Sequence, residues 1–199
     1  MSSRRKLAAL IALAALAAAG GGSVTWAAYT ATAANTGDRI DSGTVKLEDN
    51  DGDSAVLALS AAEPGAADSG CIKVTFAGSL PSTVRLYGTT GGSGLDQYLD
   101  LRVTRGNYAP TEPSFKSCTN FQPDATDYLG LGTGVVYDGT LQGYPDSYAA
   151  GLVDPPSGGP ESWTTGESHV YKLEISLRHN LAAQGLTASQ QFTWEARNQ

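Results

Sequence analysis

Apolar and polar residues alternate with a period of two along most of the chain. Ile72, Val74 and Phe76 share one face of a segment whose other face carries Lys73 and Thr75. Leu99, Leu101 and Val103 alternate with Asp100, Arg102 and Thr104. Tyr171, Leu173, Ile175 and Leu177 alternate with Lys172, Glu174, Ser176 and Arg178, and Phe192, Trp194 and Ala196 with Thr193, Glu195 and Arg197. This pattern predicts strands with one face on a core and one in water. Shorter strands are expected at residues 43–48, 55–60, 83–87 and 135–141. Turn clusters separate them, at Asn50-Asp51-Gly52-Asp53, Pro64-Gly65 and Gly91-Gly92-Ser93-Gly94. Helix is scarce, with a turn or two expected at 147–153 and one at 95–98. Seven to nine short strands predict an all-β, two-sheet antiparallel sandwich, because each half-apolar sheet must bury its inner face against another. Residues 107–129, with Pro110, Pro113 and Pro123, and the Pro/Gly-rich residues 154–161 are expected as irregular loops, the latter at the surface.

The first residues follow a different pattern. Arg4, Arg5 and Lys6 precede an unbroken apolar run from Leu7 to Ala19, which Gly20-Gly21-Gly22 ends. Thr25-Trp26-Ala27 then resembles a small-residue cleavage site, and this order is that of a secretory signal peptide. The run of 13 residues is short of the roughly 20 that span a bilayer as a helix. The expected organisation is therefore a signal peptide at 1–27 and one sandwich domain at 28–199, with cleavage after Ala27 or Ala28. An uncleaved anchor is the alternative.

Removing the leader takes away three of the 13 Lys and Arg residues and none of the 20 acids. The remaining net charge near −10 (10 basic, 20 acidic) disfavours nucleic acid or an anionic membrane as partner, since both are bound by neutralising phosphates. In an oxidising compartment Cys71 and Cys118 are most simply a disulfide that pins the 107–129 loop to the strand beginning at Cys71. A metal pair or two free thiols are the alternatives, without a C-x-x-C or a nearby His to support them.

Catalytic chemistry is hard to find. His169 and His179 are ten residues apart on one predicted strand, so a straight strand holds them on one face more than roughly 30 Å apart. They are expected as solvent-facing strand-end residues. The sequence contains no H-E-x-x-H and no G-x-S-x-G, and Gly91-Gly92-Ser93-Gly94 reads as a turn. No acid pair stands out for glycoside hydrolysis. Asp49, Asp51 and Asp53 have the alternating spacing of a calcium loop, yet Ser54 and Ser60 stand where its glycine and bidentate Glu belong. An acidic hairpin turn is the main expectation, and weak calcium binding the alternative; no other cofactor is expected. The aromatics Trp163, Trp194, Tyr87, Tyr98, Tyr108, Tyr128, Tyr137, Tyr144, Tyr148 and Tyr171 fit core and loop-packing roles better than a carbohydrate platform.

Several short motifs occur in a telling order. The leader runs into Gly20-Gly21-Gly22-Ser23, then Ala27-Ala28-Tyr29-Thr30, Asn35-Thr36-Gly37 and Ser42-Gly43-Thr44-Val45-Lys46-Leu47. Pro64-Gly65, the strand at 71–76 and Gly78-Ser79-Leu80 follow, then Tyr137-Asp138-Gly139-Thr140-Leu141, Trp163, Gly166-Glu167, Tyr171, Gln184-Gly185-Leu186-Thr187 and Phe192-Thr193-Trp194. This order resembles the TasA/camelysin family of secreted Gram-positive proteins, whose leaders are cut by a SipW-type signal peptidase. The Ala and Gly content fits a high-GC actinobacterial version. The resemblance implies a jelly-roll sandwich and a cell-surface or biofilm-matrix protein. In some members an N-terminal strand of one subunit completes the sheet of the next, while others have been called metallo-endopeptidases. Here Tyr29-Thr30-Ala31-Thr32 replaces the usual aromatic-Ser-Asp, and the cysteine pair is not part of the fibre-former pattern. With no zinc signature, no catalytic residue carries over.

The donor-strand expectation also has a physical basis. Residues 28–40 are rich in Thr and Ala and uncharged until Asp38, so after cleavage they form an extended arm able to pair with a sheet edge. Ala28, Tyr29, Thr30, Ala31, Thr32, Ala33, Ala34 and Asn35 are the residues expected to make it, with a disordered terminus or an internal first strand as the alternative. The functional expectation is a secreted structural protein whose partner is itself or another matrix component. Its rivals are a camelysin-like metallo-endopeptidase and a carbohydrate-binding or adhesin module.

Overall fold

The structure is a computed structural model and describes residues 30–34, 47–52, 54–59, 63–157, 159 and 161–198. The expected signal peptide lies outside the described residues, as do Ala28, Tyr29, Asn35 and Asp53. The strands are β1 (Thr30–Ala34), β2 (Leu47–Asp49), β3 (Ala67–Phe76), β4 (Ser82–Gly92), β5 (Leu99–Tyr108), β6 (Phe121–Pro123), β7 (Val135–Thr140), β8 (Leu152–Val153), β9 (Ser162–Trp163), β10 (Ser168–Leu177) and β11 (Ala188–Asn198). One sheet has the order β1-β11-β4-β8, with β9 also on β4. The other has the order β2-β3-β10-β5-β6, with β7 also on β5. All the pairings are antiparallel. The expected two-sheet sandwich is thus the observed fold.

The two inner faces are the residues that the alternation selects. Ile72, Val74 and Phe76 of β3, Leu99, Leu101 and Val103 of β5, and Tyr171 and Leu173 of β10 are buried, facing Val84, Leu86, Phe192 and Trp194 of the other sheet. In the cross-strand register Tyr171 stands opposite Ile72 and Arg105, and Leu173 opposite Val103. Among the described residues helical structure is limited to short 3-10 turns, including the expected one at Leu95–Tyr98. At the Leu99 and Leu177 end a cavity of about 670 Å³ lies between the sheets, lined by Val56, Leu99, Leu141, Leu177 and Phe192 among others.

Some local expectations are corrected. Residues 55–59 form no strand; the chain there lies so close to β3 that a Cβ on Gly70 would stand 2.3 Å from the Val56 carbonyl oxygen. Residues 147–153 form a turn and β8 rather than helix. β3 starts at Ala67, which places Cys71 inside the strand rather than at its beginning. Cys71 is bonded to Cys118, closing a sequence separation of 47, and the Cys71 amide donates to the Lys116 carbonyl at 3.2 Å.

A buried arginine as the candidate functional site

Extending the β5 alternation by one inward position beyond Val103 places a charged residue, Arg105, where a core residue belongs. Its side chain is 5% exposed. Two irregularities aim it there. β5 pairs with β7 up to Thr104, where the register shifts, and with β6 from Gly106 onward. Between the two ladders Arg105 is held by single bonds: its amide donates to the Gly134 carbonyl at 2.7 Å, and its carbonyl accepts from the Asp124 amide at 3.0 Å. Close approach demands glycine on both sides. A Cβ at Gly106 would lie 2.1 Å from the Gln122 carbonyl oxygen, and one at Gly134, whose φ is +72°, 2.4 Å from that of Arg105.

Acidic and aromatic groups from four other segments surround the guanidinium. Nη1 donates to Asp124 Oδ2 at 2.6 Å and to the Tyr128 hydroxyl at 3.0 Å. Nη2 donates to Glu161 Oε2 and meets His169 Nε2 at 2.8 Å. Nε stands 3.0 Å from Asp154 Oδ1, an ion pair too bent to be a hydrogen bond. The Asp154 carboxylate also accepts from the Tyr171 hydroxyl at 2.8 Å, and Asp124 from that of Tyr128 at 2.8 Å. Since the Asp154 amide donates to Val84 of β4, and Trp163 pairs with Ser82, the cluster ties one sheet to the other.

Burial and partners set the protonation states. Burial opposes the Arg105 charge, but Asp154, Tyr171, Asp124 and Glu161 outweigh it and raise the pKa beyond its ordinary value. Burial pushes the Asp154 carboxyl up, with Arg105 and Tyr171 pulling the other way. The Tyr128 hydroxyl is pushed up to about 12 by burial and by its bond to Asp124. The Glu167 carboxyl is lowered despite its partial burial, because it accepts from the Thr164 amide and hydroxyl and lies 3.2 Å from His169 Nε2.

His169 therefore differs from its expectation as a solvent-facing residue. It occupies an inward position of β10, one alternation before Tyr171, is 11% exposed, and packs edge-on against Trp163 with ring centroids 4.6 Å apart. His179 does lie exposed, beyond the end of β10, with its ring against Gly65. Residues 154–161, expected as a surface loop, begin at a fully buried Asp154. The signal for Arg105 and His169 was present in the period-two pattern, which runs one residue further inward than the apolar residues alone suggest. Asp124, Asp154, Glu161 and Glu167 carried none.

The other candidate residues are scattered. Asp51 is buried and its amide donates to Asp49 Oδ1 at 3.3 Å, a turn-stabilising bond. Asp53 lies outside the described residues. Trp163, Trp194, Tyr144 and Tyr171 are buried in the core. Thr30, Ala31, Thr32, Ala33 and Ala34 form β1, antiparallel to β11 with Thr30 opposite Arg197 and Ala34 opposite Thr193.

A metallo-endopeptidase implies a catalytic zinc with an open position. Among the described residues Glu161, Glu167 and His169 are the side chains that converge as such ligands. They do not fit that role, because Arg105 Nη2 already contacts both Glu161 Oε2 and His169 Nε2. Set against known proteins, the sequence matches no family model and no curated protein.

Proposed function

We propose that this chain is a secreted structural protein of the cell surface or extracellular matrix, which associates with copies of itself by exchanging its N-terminal strand. The observation that carries this reading is the β1–β11 ladder. β1 is a five-residue strand at the edge of its sheet, with β11 as its neighbour. Its sequence, TATAA, offers only small side chains, so main-chain hydrogen bonds provide most of what holds it. Such bonds are indifferent to which copy supplies the strand, and exchange of an identical element costs little beyond the ordering of the linker. β1 and β2 belong to different sheets, with residues 35–46 between them in sequence. β11 also begins at Ala188, five residues before the ladder with β1 starts, which leaves β11 longer than its partner.

The chain purified with its native N-terminus is expected to form fibres or regular oligomers as concentration rises, visible by negative-stain microscopy. A variant lacking residues 28–37 should remain monomeric. Polymerisation of that variant, or a wild-type chain that stays monomeric throughout, would sink the proposal.

A further inference from the structure

Three lone pairs of the kind that bind transition metals converge at the Arg105 end of the sandwich. Glu161 Oε2, Glu167 Oε1 and His169 Nε2 lie within 4.8 Å of one another. His169 Nε2 is 4.0 Å from the Glu161 atom and 3.2 Å from the Glu167 atom. Two carboxylates and an imidazole suit Zn²⁺, Co²⁺ or Mn²⁺, which would sit about 2.0–2.2 Å from each ligand. That position between Glu161 and His169 is taken. Arg105 Nη2 donates to Glu161 Oε2 and lies 2.8 Å from His169 Nε2.

A guanidinium nitrogen is always a donor, so the Nη2–Nε2 contact is a hydrogen bond only when Nε2 carries no proton, whereas the Glu167 carboxylate, 3.2 Å from the same Nε2, favours a proton there. A metal at Nε2 would demand that this nitrogen carry no proton. The arginine also cannot step aside freely, because Asp124, Asp154 and Tyr128 hold its other nitrogens from behind. A divalent ion entering beside it would meet a fixed positive charge at contact distance, where repulsion in a poorly solvated site is strong.

We infer that Arg105 is the resident cation of a Glu–Glu–His site of divalent-metal type, so the native chain excludes Zn²⁺ and similar ions there, and removing the guanidinium admits them. The site is latent, and the arginine guards it. This conclusion is independent of the strand-exchange reading.

The test uses the processed, disulfide-intact protein with Co²⁺ and Zn²⁺ as the only probes. The wild type should show no His169-dependent Co²⁺ absorption band, and Zn²⁺ should shift its melting temperature no more than it shifts that of His169→Ala. Arg105→Ser should bind one Co²⁺ at least tenfold more tightly than wild type, and adding His169→Ala should abolish the gain. A wild-type Co²⁺ band lost in His169→Ala, or a folded Arg105→Ser that gains nothing, overturns the inference. If Arg105→Ser does not fold, long-range ¹H–¹⁵N spectra of wild-type His169 decide the matter. An Nε2 resonance that ignores Zn²⁺ supports the guard. An Nε2 resonance that moves with Zn²⁺ overturns it.

Discussion

The two Nη atoms of Arg105 meet Asp124, Tyr128, Glu161 and His169 at hydrogen-bond distance, and Nε is held in an ion pair with Asp154 without a hydrogen bond. A buried charge is tolerable only when it is paired in this way, because its desolvation penalty is several kcal/mol. The same logic makes the residue hard to replace. Arg105→Met keeps the stem and removes the charge, leaving Asp154 and Asp124 without their counter-ion. We expect it to lower unfolding free energy by about 3–5 kcal/mol, read from urea denaturation of the disulfide-intact protein. A loss below about 1 kcal/mol, the range of surface ion pairs, would show that the cluster contributes little. Other ion pairs fall in that weaker class. Arg102–Asp138 and Arg178–Asp100 are each about half exposed, and solvent screens them.

At the scale of elements, the disulfide and the short strands divide the work. β3 is a ten-residue central strand with neighbours on both sides, whereas the segment carrying Cys118 has little regular structure beyond β6. The bridge therefore anchors an irregular segment to a rigid one. Closing a loop with a separation of 47 restricts the unfolded chain by about 4 kcal/mol in the entropy model. Replacing both cysteines by serine should cost up to that amount, measured as a lower urea midpoint. The wild type in reductant should fall to the same value. If the double variant matched the oxidised protein, the 107–123 segment would be held by its hydrogen bonds alone, such as Tyr108 to the Ser117 carbonyl and Ala109 to Asn120.

For the whole molecule, pH reports how the charge network is coupled to folding. Tyr87, bonded to Glu195 at 2.6 Å, and Tyr128 are each pushed up to about 12, in both cases chiefly by burial. A group whose folded pKa is raised contributes stability that is complete below its unfolded value, near 10, and is lost as pH rises through the folded value. Stability should therefore fall between about pH 10 and 12, and Tyr87→Phe with Tyr128→Phe should flatten that fall. Glu167 and Asp68 have the opposite sign. Their folded pKa values are lowered, Glu167 by its bonds to Thr164 and Asp68 by the Ala58 amide and Lys116, both against burial. Their contribution is present above the ordinary carboxylate range and is lost as pH falls through the folded values. Urea midpoints across pH 2–12 should show both flanks, and a flat alkaline limb would contradict the tyrosine assignment.

The sandwich was legible in the sequence because a strand with one buried face must alternate, and local sequence is enough to show that. The same rule marked Leu101, Val103, Tyr171, Leu173 and Trp194 as core, and they are. Extended by one inward position it reaches Arg105 and His169, of which the first was not singled out from the sequence and the second was expected in solvent. What alternation cannot specify is which loops meet at the end of a strand. Asp124, Asp154, Glu161 and Glu167 come from segments with no periodicity, and their meeting depends on sheet order, on the β5 register shift and on backbone approach at Gly106 and Gly134. A strand pattern is a local property of the chain. Convergence of four segments on the guanidinium of a fifth is settled only when both sheets have packed and the desolvated charge must find its partners.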